Sequence, residues 1–115
     1  MVASWSPESG DLVWLDFDPQ AGHEQAGHRP AIVLSSRKFN QKTHLALVCP
    51  ITSKIKGNLF ELPLPVDSPI QGVILCAHLR SVDWMKREAR LIGHAPDALL
   101  ADLRKRVALI AGIES

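Results

Sequence analysis

Only one stretch of this chain carries an apolar rhythm long enough for a helix of several turns. Every other apolar run is cut within a few residues by proline, glycine or a polar cluster. Pro96 to Ala111 has Leu99, Leu103, Val107 and Ile110 at helical spacing. Pro96 suits a first helical position, Asp97 complements the dipole there, and Gly112 follows the end. Arg104, Lys105 and Arg106 then form its solvated side. Upstream, Asp11–Phe17 (Val, Trp, Leu, Phe), Pro30–Ser35, Leu45–Ile51 and Phe60–Leu64 read as strands. Pro50 places the end of the third at an edge or bulge. Gly72–Cys76 and Leu79–Val82 are two further strands or one bent one. Between them lie a glycine-bearing loop at Asp18–His28, a polar stretch at Ser36–Thr43 with room for a helical turn, a basic loop at Thr52–Asn58 and a turn at Val66–Gln71. No pattern assigns Met85–Gly93. Short strands with one terminal helix predict a mainly β fold with α, a small, strongly curved antiparallel sheet or barrel.

A length of 115 residues gives one domain spanning 1–115, with a core small enough to gain from a partner subunit. Hydrophobic content of 46% beside 22% charged residues describes a globular chain. No apolar run nears the roughly 18 residues of a membrane helix. The N-terminus has neither the basic end nor the apolar stretch of a secretion signal. A cytoplasmic protein with no membrane contact is expected, and Cys49 and Cys76, in apolar surroundings without Cys-x-x-Cys spacing, are then buried reduced thiols.

The net charge of +1 conceals a segregation of sign. Residues 1–24 contain five acids and no Lys or Arg, whereas residues 25–60 contain six bases (Arg29, Arg37, Lys38, Lys42, Lys54, Lys56) and no acid. The basic block is either a surface for an anionic partner or a set of solvated loop charges that never cluster.

Few chemical motifs survive inspection. His23-Glu24 with His28 imitates a zinc site, but the histidines are five apart where a shared helical face needs a spacing of four, and Gly22 and Gly27 disfavour a helix. No metal is expected. There is no nucleophile elbow, phosphate-cradling glycine loop or usefully spaced carboxylate pair. The Asp18–Arg29 loop does concentrate Asp18, His23, Glu24, His28 and Arg29 beside a strand. Arg29 either grips a phosphate through paired hydrogen bonds or forms a surface ion pair with Glu24 or Asp18. The Thr52 hydroxyl either donates to a phosphate or caps a turn.

Gly10-Asp11-Leu12-Val13-Trp14-Leu15-Asp16-Phe17-Asp18-Pro19, together with Glu24-Gln25-Ala26-Gly27-His28-Arg29-Pro30, resembles the opening of the MazF/PemK family of toxin endoribonucleases. Phe39-Asn40, Pro50-Ile51-Thr52 and Lys56-Gly57 continue the likeness, and Gly72-Val73-Ile74-Leu75 and Ser81-Val82-Asp83-Trp84 extend it more loosely. The resemblance implies a barrel of the SH3-like or CcdB-like kind with a C-terminal helix, acting as a homodimer without a cofactor. It implies a toxin that cleaves single-stranded RNA at specific sequences, leaving a cyclic phosphate and a 5′-hydroxyl. It also implies a MazE-like antitoxin whose acidic tail covers the RNA groove. Carried onto this chain, Arg29 and Thr52 form the catalytic centre, and Phe17, Asp18, His28, Lys54, Lys56 and His78 contact RNA. Glu24 ranks above His28 as the proton acceptor, and the base stays open between them. Ala77-His78 departs from the family's Asp-Gln, which bears on target sequence. A gyrase-poisoning toxin of the CcdB type shares the fold, but those rely on a tryptophan near the C-terminus and the last here is Trp84. A barrel that binds RNA without cutting it is the other alternative.

Overall fold

The computed structural model describes residues 5–16 and 27–113. In chain order the elements are β1 (Asp11–Asp16), β2 (His28–Val33), α1 (Arg37–Thr43), β3 (Leu45–Thr52), β4 (Glu61–Pro63), β5 (Val73–Leu75), β6 (Arg80–Asp83), β7 (Arg90–His94) and α2 (Asp97–Ala111). All strand pairs are antiparallel, in the order β4-β5-β3-β2-β1-β7 with β6 also on β3. The result is the expected mainly β fold with a C-terminal helix, though the sheet is open among the described residues and does not close into a barrel.

β3 organises the molecule. Leu45 to Val48 pair with β6, whereas Ile51 and Thr52 pair with β5. Pro50, which has no N–H to give a ladder, lies where the strand changes partners. A 3-10 turn at Cys76–His78 separates β5 from β6, so the segment that sequence left as one strand or two is two. Gly72 stands at the entrance to β5 with φ +130, and a Cβ there would lie 2.3 Å from the Thr52 carbonyl oxygen. Only glycine admits so close an approach.

Period-two alternation sends side chains into two cores on opposite faces of the sheet. Leu12, Ile32, Cys49, Ile51, Ile74 and Leu103 make the first. Val13, Leu15, Ala31, Val33, Val48 and Val82 make the second, backed by Trp5 and Trp84. Helix α2 covers the first core through Leu103, with Leu99 and Val107 beside it. Its buried stripe is rotated from the expected one: Leu100 is buried and Ile110 is exposed. Arg106 is not simply solvated either, since it pairs with Asp102 and donates to the Leu59 carbonyl.

The polar stretch after β2 forms α1, capped by the Ser36 hydroxyl accepting from Phe39 N–H. Asn40 is fully buried, and its side-chain amide donates to the Pro7 and Ser35 carbonyls while its backbone carbonyl accepts from the Trp84 indole. The unassigned stretch holds a turn with Glu88 at φ +52 followed by β7, an edge strand against β1. Its residues are mostly exposed or half-buried, so no apolar alternation announces it. Strand β2 begins at His28, two residues before the expected Pro30, because His28 and Arg29 continue the ladder opposite Asp16 and Leu15.

Candidate active site

Arg29 and Thr52 come from neighbouring strands and meet at one end of the sheet. Arg29 opens β2, and Thr52 closes β3, held by its pairing with Val73 of β5. Two hollows flank this rim, and Arg29, Ile51 and Thr52 line both. The first, about 580 Å³, continues along Pro50, Ala77, His78 and Arg80. The second, about 600 Å³, continues along Trp14, Pro30, Lys54 and Gln71. Strand alternation contributes to the division. Pro50 lies on the face of Val48 in the second core, whereas Trp14 and Pro30 share the face of Leu12 and Ile32 in the first.

Each proposed group can be followed to its contacts. The Thr52 hydroxyl accepts the Lys54 N–H at 3.1 Å, the turn-capping role weighed above. Accepting that bond leaves the hydroxyl proton available to a phosphate oxygen, so the two roles coexist. Arg29 is exposed on a fixed strand, where a guanidinium meets an oxyanion with little reorganisation. Lys54 lines the second hollow, and His78 and Arg80 line the first. Three guanidinium or ammonium groups therefore border one rim.

His28 is engaged at both ring nitrogens. Its Nδ1 lies 2.5 Å from Asp16 Oδ1, and its Nε2 lies 2.6 Å from Arg90 Nη2. A guanidinium only donates and a carboxylate only accepts, so Nδ1 carries the hydrogen and Nε2 accepts. A ring so held orients its neighbours and offers no lone pair to substrate. Lys56 lines neither hollow. Its backbone N–H and that of Gly57 donate to the buried carboxylate of Glu61, at 3.0 and 2.7 Å. Glu61 thereby fixes the path of the basic loop. Glu24, Phe17 and Asp18 lie outside the described residues.

Sequence reasoning missed Arg80, Trp14, Gln71 and Glu61 as contributors. Arg80 had only its charge as a signal, since its place beside His78 depends on the 3-10 turn at Cys76–His78 that leads into β6. Glu61 had none, because a lone acid after a basic loop looks like surface until its burial is known. Among the described residues, no three His, Cys, Asp or Glu side chains are grouped to hold a metal ion, and no helix is long and apolar enough to cross a membrane.

A family model described as PemK-like, MazF-like toxin of type II toxin-antitoxin system matches residues 8–111. The chain belongs to the MazF/PemK family. Endoribonuclease toxin MazF of Escherichia coli (strain K12) is 39% identical over 112 residues, covering 97% of this chain and 100% of that one. Endoribonuclease toxin ChpB of the same strain is 40% identical over 114 residues, covering 93% and 96%. A crystal structure of MazE-MazF (Form-III) from Deinococcus radiodurans superposes with a TM-score of 0.90 at 43% identity, covering 96% of this chain and all of that one. In this MazF/PemK chain the matched span contains both hollows and every described site residue.

Proposed function

We propose that residues 1–115 form one toxin domain that cleaves single-stranded RNA at specific sequences, without a metal ion. The observation that carries this reading is the shared rim, where Arg29 and Thr52 stand between two hollows bordered by Lys54 and Arg80. It agrees with the endoribonuclease activity named for the E. coli relatives. RNA brings its own nucleophile, so the protein must align the 2′-hydroxyl with the adjacent phosphorus and stabilise the phosphoryl oxygens. O2′ attacks phosphorus as its proton leaves to a base. The P–O5′ bond breaks and O5′ takes up a proton, giving a 2′,3′-cyclic phosphate and a 5′-hydroxyl. Arg29 and the Thr52 hydroxyl donate to the non-bridging oxygens. Because His28 is held between Asp16 and Arg90, Glu24 is the proposed base.

The same cationic rim suits an acidic antitoxin tail that competes with RNA, as expected for a relative of a protein crystallised as MazE-MazF. The toxin is proposed to act as a homodimer in the cytoplasm. The deciding experiment incubates purified protein with a long RNA in EDTA and maps the ends. Cuts that persist in EDTA, and that vanish at a site carrying a single 2′-deoxy substitution, are expected. Activity lost in EDTA and restored by zinc or magnesium would overturn the mechanism.

A further inference from the structure

The two hollows share Arg29, Ile51 and Thr52 but differ in the rest of their linings, and that of the second suits one part of an RNA strand. The first is bordered by His78 and Arg80. The second sets the Trp14 indole, Pro30, Pro69 and Ile70 among polar groups, with His28, Arg29, Ser53, Lys54 and Gln71 also on its lining. A flat indole and proline rings set among cations fit a planar aromatic group that carries a phosphate.

This second hollow is held in shape from several directions. Trp14 is the ladder partner of both Pro30 and Arg90, so its strand is fixed on each side. Pro69 packs over Gly93 of β7, where an added Cβ would approach its ring carbon to 3.2 Å. Ile70 packs against the first core. Gln71 closes the turn, its amide nitrogen donating to the Val66 carbonyl at 3.1 Å and the Ser68 carbonyl at 2.9 Å. Both amide hydrogens are therefore engaged, and the side-chain oxygen remains as an acceptor.

We infer that this hollow takes one nucleobase beside the scissile phosphate, stacked on Trp14, and that Gln71 selects a base bearing an exocyclic amino group. Adenine and cytosine present such a donor on the edge used for pairing, and guanine presents one beside its ring N–H. Uracil offers a single N–H between two carbonyl oxygens, which meet the Gln71 oxygen with like partial charge. The inference rests on the RNA-cleaving reading above and adds to it a position that reads sequence. A protein side chain from the antitoxin is the competing occupant; the cationic rim serves an acidic peptide as well as a phosphate, and the flat Trp14 and Pro30 groups together with the Gln71 acceptor favour the nucleobase.

The test changes the RNA first, so that protein folding is not at issue. Cut ends from a complex RNA pool define the target of the parent protein. That target is resynthesised with one 2′-deoxy sugar at the cut, and each flanking base is replaced in turn by its deamino counterpart (purine, inosine or pyrimidinone). Affinity is read by fluorescence anisotropy. At one flanking position the deamino base should weaken binding by roughly tenfold or more. Gln71→Leu should abolish that difference between the bases, and Trp14→Ala, but not Trp14→Phe, should weaken binding whichever base is present. Indifference to deamination at every position, or the same loss persisting in Gln71→Leu, overturns the assignment. So does a Trp14→Ala variant that binds RNA as tightly as the parent but loses affinity for an apolar, acidic peptide, since the hollow would then serve the protein partner. A protein that binds the pool without cutting it overturns the nuclease reading alone, and the deamino series on the bound sequences still decides this one.

Discussion

Arg29 and Thr52 differ in what their side chains do besides their proposed part in catalysis, and their variants should separate accordingly. Arg29 is exposed and no part of either core. Arg29→Ala should leave the melting temperature nearly unchanged while cleavage falls by about a hundredfold to a thousandfold, the usual cost of one preorganised donor. Single-turnover rates and a thermal melt on the same sample check both halves. Thr52→Val should lower the rate less, and it also frees the Lys54 N–H that the hydroxyl accepts. Cys49 offers a pH-dependent contrast. Burial pushes its thiol from 9.0 up to about 12, with Cys76 adding to the rise. The folded state therefore holds a proton that the unfolded chain releases. Its stabilising share is complete below the ordinary thiol value and is lost as pH climbs toward 12. Urea midpoints should fall between about pH 8 and about pH 10.5, and iodoacetamide should label Cys49 only after unfolding.

At the scale of elements, two contacts hold the rim in place from outside it. Gly72 lets β5 lie against the Thr52 carbonyl, and a Cβ 2.3 Å from that oxygen cannot be accommodated without moving backbone. Gly72→Ala should cost about 1–3 kcal/mol for the strained φ alone, and more for the displaced strand. Cleavage should fall with stability even though residue 72 touches no RNA. Glu61 holds the basic loop by accepting from Lys56 and Gly57 N–H. Glu61→Gln keeps the shape but loses the charge that strengthens those bonds, worth roughly 1.5–3 kcal/mol for such contacts. Amide exchange at Lys56 and Gly57 should quicken. An unchanged exchange rate would show that the loop is held by something else.

For the whole molecule, charge placement predicts a salt dependence. RNA affinity should fall linearly in log–log form as salt rises, with each lost phosphate contact reducing the slope by about 0.7. Lys54 lines a hollow and Lys56 does not, so Lys54→Gln should flatten the slope by about that amount and Lys56→Gln by much less. An acidic peptide should compete with RNA and weaken over the same salt range. Equal slopes for the two variants would place the RNA path along the loop rather than along the rim.

Residue pattern alone determined the strands other than β7, the C-terminal helix and the basic block, because alternation, helical spacing and charge sign are local properties of a chain. It also brought out Arg29 and Thr52, through the stretches that resemble the MazF/PemK family. The choice between a catalytic and a capping Thr52 was not a local matter. The fold gives the hydroxyl both a backbone donor to accept from and a position on the rim beside Arg29. Nor could sequence show that His28 is held between Asp16 and Arg90, since Arg90 lies 62 residues away on a strand with no apolar signature. Glu61 looks like any surface acid until folding buries it under two backbone donors. Pro69, Ile70 and Gln71 read only as a turn, and become the wall of a hollow because Gly93 leaves room for Pro69 to settle on β7. Period and composition are written along the chain, whereas a site is made by the side chains that long-range strand pairing brings to one end of a sheet.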